Sequence, residues 1–416
     1  MAPRHAFFPL AFGIVTALTP GPTPETHPTL ITSKCTVAGG CTEQTSLLVL
    51  DQLAHPLYQA AAPEYNCGDW GEGPNSTACP DAQTCAKNCI VDGISSYASY
   101  GVTTTGSSLL MKMLSPDGRT LTPRIYLLEP AGDRYEMLTL SGGELSFDVD
   151  ISQLPCGMNG ALYLSEMAAD GGRSDLNPTG AGYGSGYCDA QCFTLPFLNG
   201  EANLDGKGSC CNEMDIWEGN ARANAIVPHT CNQTGLYACS GDECAADGVC
   251  DKPGCGYNTY SLGNRDYYGP GLTVDTNRPF TVVTQFPEVD GKMTEIRRLY
   301  VQDGVVIQNA KLNTTIAGLD PTKVLDSVSD ELCGQVAPKY MALGGTTGMG
   351  EAMKRGMVLI FSIWWDEGGF MRWLDSGNSG PCNATEGDPK VIVKVEPDPA
   401  VVWSNVKWGE IGSTFS

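Results

Sequence analysis

The chain has 416 residues, 42% of them hydrophobic and 17% charged, so it can bury a large core and lacks the composition of a disordered polymer. Its 25 basic and 47 acidic residues leave a formal net charge of -22, which disfavours nucleic acid or an anionic membrane surface as a partner. A neutral polymer would be indifferent to that charge.

At the N-terminus, Arg4 precedes an apolar run from Phe7 to Leu18 and then the turn-prone Thr19-Pro20-Gly21-Pro22, which predicts a secretory signal peptide over 1–20 with cleavage between about Ala17 and Gly21. The run contains Pro9 and falls short of the ~20 apolar residues of a spanning helix, so a membrane anchor does not fit. Eighteen cysteines, an even number in a secreted chain, predict up to nine disulfides whose pairing the spacing leaves open. Close groups such as Cys85 and Cys89, Cys188 and Cys192, or Cys239, Cys244, Cys250 and Cys255 also have spacings that suit zinc. An oxidising compartment argues for disulfides instead, and no metal or other cofactor is expected. Asn75, Asn232, Asn313 and Asn383 head N-glycosylation sequons. No Ser/Thr/Pro-rich or Gly/Ser-rich linker interrupts 21–416, which reads as a single domain and, by default, a monomer.

Strand signals dominate the pass along the chain. Ile125 to Leu128 is a short β-rich run, and in Leu145 to Ser152 four apolar residues alternate with four polar ones, predicting one buried and one wet face. Further runs follow at Phe280 to Phe286, Val358 to Trp364 and Val401 to Trp408, separated by segments rich in the chain's 50 glycines and 27 prolines. Helical periodicity is confined to short stretches around Asp326 to Cys333 and Gly350 to Gly356. The pattern predicts an all-β sandwich.

The chemistry concentrates in Cys210 to Asn220, CCNEMDIWEGN, where Glu213, Asp215 and Glu218 lie within six residues. On a strand Glu213 and Asp215 point to one face and Glu218 to the other, so the three share a site only if a bulge between Asp215 and Glu218 corrects the parity. Retaining cleavage of a glycosidic bond needs an ionised carboxylate and a protonated carboxyl ~5 to 5.5 Å apart, roles that Glu213 and Glu218 fit. Asp215 then shares a proton or hydrogen bond with Glu213 and orients it. Spacing alone leaves open a solvated acidic strand and a calcium site. A Ser-His-Asp hydrolase is a poorer fit, because no G-x-S-x-G elbow is present.

This segment resembles the signature of glycoside hydrolase family 7, the fungal endoglucanases and cellobiohydrolases. The resemblance extends through ETHPTLITSKC (25–35), CAKNC (85–89), LSFDVDISQLPCGMNGALYLSEM (145–167) and GYGSGYCDAQC (182–192). It continues in GMVLIFSIWWD (356–366), MRWLDSGNSGPC (371–382) and WSNVKWGEIGST (403–414). It implies a β-jelly-roll sandwich of two curved antiparallel sheets with long disulfide-stapled loops, binding β-1,4-glucan along a concave face. It also implies that Glu213 is the nucleophile, Asp215 its helper and Glu218 the general acid/base. By the same resemblance His229 lies in the cleft, Trp364 and Trp373 are aromatic platforms, and Asn159, Tyr163, Tyr187, Asp189 and Gln191 contact sugar hydroxyls. Asp189 and Gln191 have the alternation of one strand face, and Trp217 belongs in the core.

Departures point to the kind of cutting. Where family members carry tryptophans for distant subsites, DQLAHPLY (51–58) has Gln52 and Pro56. The connections Asn203 to Cys210 and Ser376 to Cys382 are short beside those that roof a cellobiohydrolase tunnel. The expected activity is therefore internal, endo-type cleavage by an open cleft, with chain-end cleavage as the alternative, and the chain shows no carbohydrate-binding module. A glucan-binding protein without turnover is a further alternative from fold alone.

Overall fold

The computed structural model describes residues 18–320 and 322–415. The signal-peptide expectation falls mostly outside the described residues, but Leu18, Thr19 and Pro20 belong to the fold. Thr19–Pro20 pairs in parallel with Cys89–Val91, and Leu18 is buried in a cluster with Leu57 and Val91.

Two antiparallel sheets face each other, as the alternating strands predict. The site sheet orders the strands Arg124–Leu128, Met357–Trp365, Met158–Ser165, Glu213–Gly219, Asn224–His229 and Tyr257–Asn258. The back sheet orders Val102–Thr105, Ser108–Lys112, Ala400–Glu410, Gly143–Asp150, Phe280–Gln285 and Glu295–Gln302. One long strand, Gly40–Leu50, joins the two: Gly40 to Leu47 pairs with Thr29–Thr36 beside the back sheet, while Leu47 to Leu50 pairs with Arg124–Leu128. Side chains from facing strands interlock between the layers. Phe147 and Trp403 of the back sheet meet at 5.5 Å, Phe361 of the site sheet reaches Trp403 at 6.1 Å, and Trp217 packs on Phe280 at 5.8 Å.

Local details depart from the sequence reading. The polar face of Gly143–Asp150 is not wet throughout, since Glu144 and Ser146 are buried. The C-terminal segment folds back over them: Gly412 N, Thr414 N and Thr414 Oγ1 all donate to the Glu144 carboxylate. The helix expected from Asp326 begins at Asp330, because Ser327–Ser329 still pairs as a strand with Glu295 to Arg297. The helix expected at Gly350 begins at Gly345. Pro389–Val395, PKVIVKV, is also a helix despite its β-branched content; Asp388 caps Lys390 N and Pro389 occupies its first turn.

All eighteen cysteines are paired in nine disulfides. Cys85 bonds Cys79 and Cys89 bonds Cys67, so none of the close groups is left with thiolates for zinc. Asn232, Asn313 and Asn383 are exposed, whereas Asn75 is half-buried and caps a turn through Thr77 N and Ala78 N.

Candidate active site

The strand Glu213–Gly219 lies between Met158–Ser165 and Asn224–His229, and its register supplies the parity correction. Ser165 pairs with Glu213 and Tyr163 with Asp215, but the adjacent Leu162 pairs with Trp217 and Ala161 with Glu218. Ile216 is therefore the extra residue. On the other side the register shifts between Asp215 and Glu218 as well, since Val227 opposes Asp215 and Ala225 opposes Glu218. A bulge of this kind turns the strand after it, which brings Glu218 toward Asp215 and His229 while Trp217 is driven into the core.

Each acid turns to its own protein donor, so the three do not converge as a shell for a cation. Glu213 Oε2 accepts a hydrogen bond from Ala190 N at 3.0 Å. Asp215 Oδ2 lies 3.0 Å from His229 Nε2, whose Nδ1 faces the carbonyl of Asp251 at 2.9 Å. A carbonyl only accepts, so Nδ1 carries the hydrogen, and the single proton between Nε2 and Asp215 belongs to that pair. The sequence reading gave Asp215 a hydrogen bond with Glu213. The structure instead engages Asp215 with His229 and couples it to Glu213 through charge. Glu218 Oε1 accepts from Asn159 Nδ2 at 2.9 Å, and Asn159 Oδ1 takes the Gly219 amide at 3.0 Å.

These environments raise all three titrations. Burial, then the charges of Asp215 and Asp189, holds Glu213 well above the ordinary carboxylate range, while His229 and the Ala190 amide pull it back. Burial and Asp189 also raise Asp215. Glu218 keeps part of its surface open, yet crowding by the protein, then Asp215, pushes it up to about 8. Four neighbouring carboxyls cannot all be charged in such a place, so the cluster retains protons at neutral pH.

The predicted sugar-contacting residues divide into two groups. Trp364 and Trp373 stack with ring centroids 6.3 Å apart, and Trp373 is 47% exposed, as a platform for an apolar sugar face requires. Trp364 is opposite Asn159 in the sheet, which joins this platform to Glu218. Asn159 itself is fully buried with both amide atoms engaged, so its contact is Glu218 rather than open groove. Tyr163 and Tyr187 meet hydroxyl to hydroxyl at 3.1 Å, and Tyr187 donates to Asp189 at 2.8 Å. Asp189 and Gln191 do not share a strand face. They lie in a turn closed by Asp189 Oδ1, which accepts from Gln191 N and Cys192 N, and Gln191 reaches the Lys252 carbonyl. The Cys188–Cys211 and Cys192–Cys210 disulfides tie this turn to the start of the acid-bearing strand, setting the Ala190 amide against Glu213. The period-2 rule failed there because the disulfides hold the chain in a turn.

Sequence reasoning missed Arg124 and Trp70. The Arg124 guanidinium is fixed by Asp51 at 2.8 Å and lies 3.5 Å over the Tyr187 ring and 4.6 Å over Trp70, which is 41% exposed. An indole flanked by glycine and aspartate in a Cys67-Gly68-Asp69-Trp70-Gly71 loop was the available signal for Trp70; Arg124 had none. Of the expected substitutes for distant tryptophans, Gln52 is buried and Pro56 is exposed.

Flat indoles beside unequal, proton-sharing carboxyls on the face of a β-sandwich define a glycoside hydrolase. The chain belongs to Glycosyl hydrolase family 7, whose sequence model matches residues 21–415. It is 54% identical to endoglucanase EG-1 of Humicola insolens over 98% of this chain and 93% of that protein. The native structure of a Humicola insolens endocellulase superposes with a TM-score of 0.93 at 54% identity, covering 95% of this chain and all of that one. A cellobiohydrolase from Daphnia pulex is more distant, with a TM-score of 0.86 at 35% identity over 95% of this chain and all of that one. The sandwich is thus the family's β-jelly roll, as the sequence motifs implied.

Proposed function

We propose that the protein is a secreted endo-β-1,4-glucanase that hydrolyses internal β-1,4-glucosidic bonds with retention of configuration, acting as a monomer with its own side chains alone. The observation that carries the reading is the bulge at Ile216, which sets two glutamates of one strand beside Asp215 with different hydrogen-bond donors, Ala190 N and Asn159 Nδ2. Glu213 attacks the anomeric carbon as a carboxylate, while the glycosidic bond breaks and its electron pair leaves with the aglycone oxygen, which takes the proton of Glu218. The proton held between Asp215 and His229 lets Glu213 carry charge next to Asp189, whose carboxylate has three donors of its own. In the second half Glu218, now ionised, removes a proton from water, which attacks the same carbon and frees Glu213.

Endo cutting is supported by the endoglucanase relatives and by the short connections at Asn203 to Cys210 and Ser376 to Cys382. Secretion is supported by nine disulfides and the leader-like N-terminus, and the packing of Leu18 favours cleavage after Ala17. No helix among the described residues is long and apolar enough to cross a membrane.

The test follows viscosity and reducing ends together as the secreted protein acts on carboxymethyl cellulose, with Glu213→Gln in parallel. A steep viscosity fall with few new ends, abolished in the variant, is expected. New ends without a viscosity fall would instead mean chain-end cleavage, and an inert folded wild type would mean another substrate or no turnover.

A further inference from the structure

The strand Glu295–Gln302 of the back sheet points Ile296, Arg298, Tyr300 and Gln302 into the sandwich. Arg298 is an arginine in a position built for an apolar side chain. It is 1% exposed, and burial presses its pKa below the ordinary guanidinium value. The titratable groups that act on it most are the phenols of Tyr300, Tyr267 and Tyr268, and among the described residues its Nε and Nη1 have no hydrogen-bond partner. A buried guanidinium whose main charged neighbours are phenols is costly unless it performs a specific task.

Its hydrogen bond to the facing sheet identifies the task. Nη2 donates to the carbonyl of Ile216, the residue that the bulge leaves without a register partner on either neighbouring strand. The guanidinium also lies 5.6 Å from the Trp217 ring and 5.7 Å from the Tyr300 ring, so the next residue of the bulge is held by the same group. Two residues further on is Glu218. We propose that Arg298 is a positioning residue for the acid/base carboxyl: by gripping the Ile216 carbonyl from behind the sheet, it holds the bulge that aims Glu218 at the substrate. Asn159 holds the carboxyl from the front, and Arg298 holds the backbone beneath it. This inference rests on the assignment of Glu218 as acid/base.

The test compares Arg298→Met and Arg298→Lys with Glu218→Gln on two substrates, after melting curves and near-ultraviolet dichroism have shown that each variant is folded. Carboxymethyl cellulose has a poor leaving group that must be protonated. 2,4-Dinitrophenyl β-cellobioside releases a stable phenolate that needs no proton, so only the second step still uses Glu218, as base. Azide attacks the glycosyl-enzyme carbon directly, displacing the Glu213 carboxylate, and needs no base. Misaiming predicts that Arg298→Met loses about 10- to 100-fold in kcat on cellulose with KM little changed. On the activated substrate its deficit should be largely restored by azide with formation of cellobiosyl azide, and Arg298→Lys should fall in between. Equal losses on both substrates with no azide response, or no loss in either variant, would overturn the proposal; if Arg298→Met does not fold, Arg298→Lys decides by the same criteria. Failure of Glu218→Gln itself to respond to azide would instead remove the acid/base assignment.

Discussion

The two ends of the strand Glu213–Gly219 carry acids that burial raises alike but that different neighbours hold. Before the bulge, Glu213 and Asp215 are fastened by regular pairing, by the disulfide-tied turn at 188–192 and by His229, and they share charge with Asp189. After it, Glu218 is partly open and held by the Asn159 amide, and like Glu213 it titrates high because the protein crowds it. A nucleophile has to be rigid and charged at the moment of attack, whereas an acid/base has to exchange its proton with substrate and water. In the proposed division of roles, one irregular residue lets a single strand present both carboxyls.

The largest effects should come from erasing the difference outright. Glu213→Gln is expected to lower kcat by ~10⁴-fold or more on every substrate, activated or not. Glu218→Gln should cost ~10² to 10⁴-fold on cellulose and much less in the first step with a dinitrophenyl leaving group. If the two variants respond alike to leaving group, the division of roles is wrong.

A smaller change sharpens it. Asn159→Ala removes a donor that, with the charge of His229, favours ionised Glu218, so its pKa should rise from about 8 and the alkaline limb of kcat/KM should move to higher pH, with kcat reduced about tenfold. An unmoved limb would show that Asn159 does not tune Glu218.

Stability offers a third readout. Folding raises Glu218 from 4.5 to about 8, so the neutral form is favoured in the folded state; that stabilisation is complete below about pH 4.5 and is lost as pH climbs through 8. The melting temperature should fall across this window, and fall less in Glu218→Gln. The smallest expected effect is on Trp373→Ala, where loss of an exposed platform should weaken substrate binding by about 2- to 10-fold in KM with kcat nearly kept.

The acid triad was legible because a seven-residue strand cannot place residues 213, 215 and 218 on one face without a bulge, and parity alone located it. The family motifs singled out Trp364 and Trp373, which the fold stacks together with Trp373 exposed. The contacts of Asn159, Asp189 and Gln191 were not, since each depends on a partner distant in sequence: Asn159 on Glu218, and the turn at 189–191 on cysteines 210 and 211. Ser146 was read as wet because Thr414, whose carbonyl accepts from its hydroxyl, lies 268 residues later in the chain. Arg124 and Arg298 carried no local signal, for an arginine on a β-strand looks the same whether it faces water, a tyrosine ring or a bulge.

By itself the sequence determined the alternation that makes a sandwich, the even cysteine count and the irregular strand with its three acids. These follow from local periodicity and covalent chemistry, which a few neighbouring residues express. Only the tertiary structure decided which cysteines pair, which donor meets which carboxyl, and how high each acid titrates. Those properties depend on distance and desolvation between segments far apart in the chain, and they exist only once the two sheets have closed on each other.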